Sequence, residues 1–286
     1  MLSGRTRLLC LIGDPVAHSA SPLMYNTAFE ELGLEYSFMC FRSNIEELPE
    51  TVAALKRLNV RGFSCTMPVK VAMCGYVDEL TPAAELMQAV NCVSIEDDGR
   101  LIGHNTDGRG YIDALKAKGV DIVGKKITLI GGGGAATAIA VQLALDGAEE
   151  LRIFNRPGKS FERASVLADK LNEQTDCHVV ACDSTDLESL RTSLEDSFLL
   201  CNGTSVGMAP NVDASPIADN SMFHPDLIVS DVIYNPMETK LIKDAKASGC
   251  EAYGGYDMLL YQGVVAFKIW TGEDMPIDVV KEALNK

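Results

Sequence analysis

Ile127-Thr128-Leu129-Ile130-Gly131-Gly132-Gly133-Gly134-Ala135-Ala136-Thr137-Ala138-Ile139 is the stretch that decides the fold. Its first four residues predict a short buried strand, the glycines a turn, and the alanine-rich run to position 145 a helix. Gly131-x-Gly133-x-x-Ala136 thus stands directly after a strand and opens a helix, the context a dinucleotide-binding turn requires. Glycine lets the backbone turn tightly and approach a pyrophosphate, whose charge then faces the unpaired N–H groups of the helix start. The same residues, 127–145, carry no charge and come close to the length of a bilayer span. Four consecutive glycines would break the helix that lipid demands, and Gln142 falls within its apolar part.

Working outward, strands are expected at 151–154, 178–182, 198–201 and 227–232, with a helix at 161–171 and other polar and helical segments between them. Strands alternating with helices predict a doubly wound parallel sheet of the Rossmann type. The residue that reads the adenosine ribose belongs at the end of the second strand. Asn155-Arg156 stands there, with Lys159 shortly after, in place of the Asp or Glu of NAD sites. A carboxylate repels a 2′-phosphate and Arg attracts it, which favours NADP(H) over NAD(H).

Upstream, strands at 8–12 and 36–41 alternate with helices at 22–32 and 45–58, which argues a separate α/β layer. A hairpin is expected from 92–95 and 101–103 through Asp97-Asp98-Gly99, and a helix at 107–118 leads into the second unit. The tail, 238–286, reads as mainly helical with a short strand near 251–253, and its helices are expected to return to the first domain. The expected organisation is therefore α/β, with domains at 1–106 and 107–240 and a C-terminal helical segment at 241–286.

A chain of 286 residues suits about two domains. Its net charge of -15 opposes the clustered cations that a nucleic-acid surface needs. An anionic ligand must be met by a local device. Nine scattered cysteines form no C-x-x-C pair or zinc spacing, so no metal site is expected and the thiols read as reduced core filler. Residues 1–7 lack the apolar run of a secretory signal, and the expected compartment is the cytoplasm.

Three polar islands interrupt the apolar pattern of the first domain. Ser19-Ala20-Ser21-Pro22 sets two hydroxyls before a proline-initiated helix, where free N–H groups suit a carboxylate. Ser21 read alone is an ordinary N-cap, and His18 is ambiguous. Thr66-Met67-Pro68-Val69-Lys70 and Asn105-Thr106-Asp107-Gly108 supply a lysine and a carboxylate, a pair that can manage a hydroxyl proton when suitably placed. By spacing alone they are equally a solvated lysine and aspartate.

Along nearly its full length the chain resembles the shikimate dehydrogenase family. The family's G-x-P-x-x-H-S-x-S-P-x-x-x-N is met by Gly13, Pro15, His18, Ser19, Ser21, Pro22 and Asn26. Its G-x-N-V-T-x-P-x-K is met from Gly62 through Thr66 and Pro68 to Lys70, and its N-T-D-G by Asn105-Thr106-Asp107-Gly108. Its N-x-T-S-x-G-M has Asn202, Thr204, Ser205, Gly207 and Met208, and a D-x-x-Y-x-P-x-x-T-x-L run has Asp231, Tyr234, Pro236, Thr239 and Leu241. Gly255-Tyr256-Asp257-Met258-Leu259-Leu260-Tyr261-Gln262, Phe267 and Trp270-Thr271-Gly272 match its closing helix.

The resemblance implies reversible reduction of 3-dehydroshikimate to shikimate with NADP(H), NAD(H) being the alternative cofactor, by a monomer or homodimer. It implies that Ser19 and Ser21 hold the substrate carboxylate, that Thr66, Asn91, Tyr234 and Gln262 bind carboxylate or ring hydroxyls, and that Lys70 and Asp107 flank the reacting hydroxyl as catalytic pair. It implies that Gly131, Gly132, Gly133, Gly134, Ala135, Asn155, Arg156, Val232 and Gly255 contact the cofactor. Ser64 and Cys65 depart from the usual Asn-Val, and Cys92 from the common Thr; these departures, together with Met67-Pro68, are similar to the branch that accepts quinate as well as shikimate.

Two rival readings remain. Gly203-Thr204-Ser205-Val206-Gly207 fits the G-x-S-x-G of serine hydrolases, with Asp213 or Asp219 ahead of His224, but Pro210 breaks the helix that must follow a nucleophile elbow. A noncatalytic NAD(P)-sensing protein would need the glycine turn but not Lys70 with Asp107.

Overall fold

The computed structural model describes residues 2–285. It divides into two compact units, Met1–Thr106 together with Gln262–Lys286, and Asp107–Tyr261. The first contains β1 (Arg7–Gly13), α1 (Ser21–Glu31), β2 (Tyr36–Arg42), α2 (Leu48–Arg57), β3 (Gly62–Cys65), β4 (Glu79–Leu80), α3 (Pro82–Met87), β5 (Cys92–Ile95) and β6 (Leu101–His104). Its sheet has the order β2-β1-β3-β5-β6-β4. β1 pairs parallel with β2 and β3, whereas β5 runs antiparallel to both β3 and β6. The C-terminal ends of β1, β3 and β6 therefore share one end of the sheet with the beginning of β5.

Alternation along these strands sends Cys10, Ile12, Phe63, Cys65, Val93 and Ile95 into one core with Leu48, Val52 and Leu55 of α2. The opposite face is closed by aromatic rings. Tyr25 and Phe38 lie 4.5 Å apart between centroids, Tyr25 and Trp270 5.3 Å, and Phe29 and Phe267 5.5 Å. Trp270 donates from Nε1 to the Val93 carbonyl at 3.0 Å, and its own carbonyl accepts from Arg61 Nε at 3.0 Å. Gly62 has no side chain because a Cβ would meet Trp270 Cδ1 at 2.5 Å. On the sheet's edge, Asn26 of α1 donates to the Phe38 carbonyl at 3.0 Å and accepts from the Phe38 amide at 2.8 Å. One asparagine thus fixes α1 against β2 and occupies backbone groups an edge strand would leave open.

The second unit holds α4 (Asp107–Lys116), β7 (Lys126–Ile130), α5 (Gly134–Leu145), β8 (Glu150–Asn155), α6 (Lys159–Gln174), β9 (His178–Asp183), α7 (Leu187–Glu195), β10 (Leu199–Asn202), β11 (Ile228–Asp231), α8 (Lys240–Ala247) and β12 (Glu251–Tyr253). Its strands run in the order β12-β11-β10-β7-β8-β9, and every pairing is parallel. The order reverses between β7 and β10, the switch point at which such sheets open a crevice beyond their carboxyl ends. The charge-free run 127–145 resolves into β7 and α5. Among the described residues no helix is long and apolar enough to cross a membrane. Gln142, buried on α5, donates to Asp146 Oδ1 at 2.8 Å, and the same carboxylate takes both Arg109 nitrogens at 2.6 and 2.7 Å.

Several elements differ from expectation. The helix expected at 45–58 starts at Leu48, because Asn44 Oδ1 accepts from the Glu47 amide at 2.9 Å while Glu47 Oε2 accepts from the Asn44 amide at 3.2 Å. β3, β4 and α3 are short elements whose composition carries no period. The segment expected at 241–286 divides. α8 and β12 fall in the second unit, since β12 pairs with β11. The division passes through α9 (Tyr256–Thr271), and α10 (Ile277–Leu284) packs on α1 in the first unit.

Candidate active site

Within the first unit, one sheet end collects the polar islands. Ser19 follows β1, Thr66 and Lys70 follow β3, Asn91 precedes β5, and Asn105 and Thr106 follow β6. Backbone bonds lock these segments together: Thr66 N–H donates to the Ile12 carbonyl at 3.0 Å, Val90 N–H to the Lys70 carbonyl at 2.9 Å, and Cys65 N–H to the Asn91 carbonyl at 2.8 Å. The buried Asn91 amide accepts from the Thr106 N–H at 2.8 Å and donates to Thr106 Oγ1 at 3.0 Å. Asn105 donates to the Ala89 carbonyl at 3.0 Å. The residues leading into Asp107 are thereby held to the loop that also anchors Lys70. Gly13, at φ +151°, lies so close that a Cβ would meet the Met67 carbonyl oxygen at 2.8 Å.

Ser21 is not the N-cap. It is the first residue of α1, Ala20 occupies the cap position, and Ser19 Oγ accepts from the Ser21 N–H at 3.2 Å. Pro22 occupies the second helical position, where it brings the chain into the helix without needing an N–H. Gln262, assigned to the first unit, precedes Gly263, whose missing side chain makes room for Met24 Sδ at 2.9 Å. Tyr234 belongs to the second unit and is half exposed.

His104 ends β6 and meets Ser94 Oγ at 3.2 Å; Ser94 Oγ also donates to Glu96 Oε1 at 2.9 Å. Burial holds the His104 imidazole below its ordinary pKa, so the folded state prefers the neutral ring. That contribution to stability is full above the unfolded value, about 6.5, and is lost as pH falls through the lowered folded value. Thermal unfolding followed from about pH 8 to about pH 5 is expected to show a smaller acid-side loss for His104→Gln than for the wild type.

In the second unit the glycine turn sits at the switch point. Gly131 follows β7 at φ +123°, its N–H donates to the Phe154 carbonyl at 2.8 Å, and a Cβ would meet the Gly203 carbonyl oxygen at 3.1 Å. Gly203, after β10, would press a Cβ to 2.7 Å from that of Ala136, which explains the small third residue of the fingerprint. A Cβ on Gly132 would fall on Asn155 Nδ2. Around Gly133 and Gly134 the space is open: nothing lies within 4 Å of an added Cβ at either. Gly133 caps α5 without any side-chain bond to the helix N–H groups. Asn155 Nδ2 is buried and has no hydrogen-bond partner, while its Oδ1 accepts from the Arg156 N–H at 3.1 Å. Open space over two glycines, an uncapped helix start and an unsatisfied amide fit the phosphates and ribose of a dinucleotide.

Comparison with known proteins agrees. The model for the shikimate dehydrogenase substrate binding domain matches residues 11–93, and that for the shikimate 5′-dehydrogenase C-terminal domain matches 255–284. A shikimate dehydrogenase (NADP(+)) of Streptococcus uberis is 48% identical over 285 residues, covering 99% of this chain and 97% of the relative. The chain belongs to the shikimate dehydrogenase family. A quinate/shikimate dehydrogenase of Escherichia coli O139:H28 is 43% identical over 284 residues, 99% of this chain and 98% of its own. The crystal structure of shikimate 5-dehydrogenase from Listeria monocytogenes, in complex with shikimate and NAD, superposes with a TM-score of 0.96 at 45% identity, covering 99% and 98% of the two chains.

Several family motif residues acquire structural reasons that sequence did not supply. Gly108 admits α5: a Cβ there would meet Gln142 Cβ at 2.7 Å and run into the Ala138 carbonyl. Asn202, Asp231 and Thr239, from two separate motifs, form one buried network. The hydrolase reading loses its geometry. Gly203, Thr204, Ser205, Val206 and Gly207 form a turn with no helix after it, and His224 Nε2 meets the Leu194 carbonyl at 3.0 Å.

Proposed function

We propose that the chain is a shikimate dehydrogenase that interconverts 3-dehydroshikimate and shikimate with NADP(H), on the route to chorismate and the aromatic amino acids, in the reduced environment of the cytoplasm. The observation that carries this reading is the glycine turn at the switch point, with its open approach and unsatisfied Asn155 amide. The polar segments gathered at one end of the first sheet support the substrate half.

In the proposed mechanism the hydroxyls of Ser19 and Ser21, beside the α1 N-terminus, hold the ring carboxylate. Thr66, Asn91, Tyr234 and Gln262 bind carboxylate and ring hydroxyls and so select one orientation of the ring. Lys70 takes the hydroxyl proton during oxidation and returns it during reduction, and Asp107 orients both lysine and substrate. Gly131, Gly132, Gly133, Gly134 and Ala135 would receive the pyrophosphate, Asn155 and Arg156 the adenosine ribose and its 2′-phosphate, and Val232 and Gly255 would complete the contacts to the cofactor. When bound, the nicotinamide supplies the hydride acceptor. Those roles divide cleanly, because proton handling falls to side chains and charge compensation to backbone N–H groups and Arg156.

A second substrate is favoured by one observation. Of the three positions that depart from the family pattern, Cys65 and Cys92 are buried and only Ser64 stays partly exposed. We take its side chain, shorter than the family's asparagine, to accommodate the extra hydroxyl of quinate. Initial rates at the reduced-nicotinamide absorbance band, crossing shikimate and quinate with NADP+ and NAD+, test the reading. Shikimate with NADP+ is expected to be the fastest pair, and absence of turnover in all four would refute it. Removing Arg156 (Arg156→Ala) is expected to raise the KM for NADP+ about 10- to 100-fold, the scale of a lost charge-assisted bond, while that for NAD+ moves less than about threefold. Equal losses for the two cofactors would remove Arg156 from the 2′-phosphate.

A further inference from the structure

Asp231 ends β11 and is 2% exposed, yet among the described residues no cation pairs with it. Burial pushes its carboxyl above the usual range, opposed by hydrogen bonds from Ile233, Thr239 and Asn202. Such a group is costly to keep for packing alone. Its partners show what it does instead. Oδ1 accepts from Asn202 Nδ2 at 3.1 Å and from the Ile233 N–H at 3.0 Å, and Oδ2 accepts from Thr239 Oγ1 at 2.8 Å. Asn202, itself fully buried, passes the constraint on: its Oδ1 accepts from Thr204 N–H at 3.0 Å and from Thr204 Oγ1 at 2.7 Å. Thr204 Oγ1 then accepts from the Val206 N–H at 3.1 Å.

One carboxylate therefore ties together the turn after β10 and the turn after β11. Main-chain contacts make the arrangement tight. Val232 N–H donates to the Asn202 carbonyl at 3.0 Å and Gly255 N–H to the Ile233 carbonyl at 3.0 Å. A Cβ on Gly255 would collide with the Val232 carbonyl, and one on Gly254 would sit 2.8 Å from that of Met237. The turn after β10 also touches Gly131 through Gly203 and Thr204. Only an acceptor with two oxygens and no proton answers all three donors as they stand; an amide must reverse one bond.

We infer that Asp231 is a positioning residue for the cofactor: it sets the spacing of the two turns that wall the crevice, and so the place of Val232 and Gly255. This rests on the dehydrogenase reading above. The test compares wild type with Asp231→Ala, Asp231→Asn and Thr239→Val, using calorimetric Kd for NADP+, the KM for shikimate at saturating NADP+, and Tm of the ligand-free protein. Asp231→Ala is expected to weaken NADP+ about tenfold or more, with the shikimate KM within about twofold, and Asp231→Asn, which keeps the shape and two of the acceptor contacts, to recover most of the loss. Thr239→Val, which removes one donor without emptying the site, is expected to weaken NADP+ about threefold and serves if the alanine variant does not fold. A fall in Tm with NADP+ affinity unchanged in every folded variant would overturn the positioning role alone. A wild type that binds neither NADP+ nor NAD+ would overturn the dehydrogenase reading and this inference with it.

Discussion

Lys70→Ala is expected to lower kcat for shikimate oxidation about 10²- to 10⁴-fold, the usual worth of a positioned acid or base. The backbone at this position is fixed independently of the side chain, since the Lys70 carbonyl receives the Val90 N–H at 2.9 Å and the same loop carries Asn91. Truncation therefore removes the amine without releasing the segment, and the loss should fall on kcat more than on KM. Steady-state kinetics with both substrates varied check it. A turnover number within about threefold of wild type would exclude Lys70 from proton handling.

Gly108→Ala should be the most damaging single methyl group in the second unit. The added carbon meets the Ala138 backbone and Gln142 Cβ at 2.7 Å, and neither can swing aside, because α4 is already clamped to α5 by the two Arg109–Asp146 bonds. Overpacking of this kind costs about 1–3 kcal/mol, and contact with main chain places this site toward the upper end. For a chain of this size that corresponds to a fall in Tm of roughly 2–5 °C. Differential scanning calorimetry of the ligand-free variant reads it directly. An unchanged Tm would mean that α4 and α5 are not packed as closely as described.

The fold was legible where chemistry and periodicity coincided. The run from Ile127 to the glycine turn announces itself because β-prone residues, four glycines and an alanine-rich helix leave few other structures open. The hairpin through Asp97-Asp98-Gly99 was equally plain. β3 was not, since Gly62 and Ser64 look unlike strand interior until Trp270 is seen over the first and the Cys92 row beside the second. Short elements stabilised by distant partners carry no local signature. The tail illustrates the same limit: nothing in residues 241–261 says that Glu251, Ala252 and Tyr253 will extend a sheet begun at β7, because that pairing is decided by β11.

The site was legible in parts and for uneven reasons. Lys70 and Asp107 are unremarkable as residues and gained roles only from ordered motifs around them. Ser21 looked like a cap, yet Ser19 supplies the local bond, a distinction one residue wide that sequence cannot draw. Asn26, Gly108, Asn202, Asp231 and Thr239 were visible as motif letters without functions. Their work is to fix an edge strand, admit a neighbouring helix and tie two turns together; Asn26, Gly108, Asn202 and Asp231 each depend on a partner 12 or more residues away, and Thr239 on Asp231, itself held by Asn202.

The central claim is that this chain oxidises one ring hydroxyl of shikimate by delivering hydride to a bound nicotinamide. Shikimate carrying deuterium on the carbinol carbon that becomes the ketone of 3-dehydroshikimate, incubated with NADP+ and the protein, tests it most directly. Mass spectrometry of the cofactor should show one deuterium in each NADPH formed, matched by an equal amount of 3-dehydroshikimate. NADPH without deuterium, or no NADPH while calorimetry shows both ligands bound, would contradict the account.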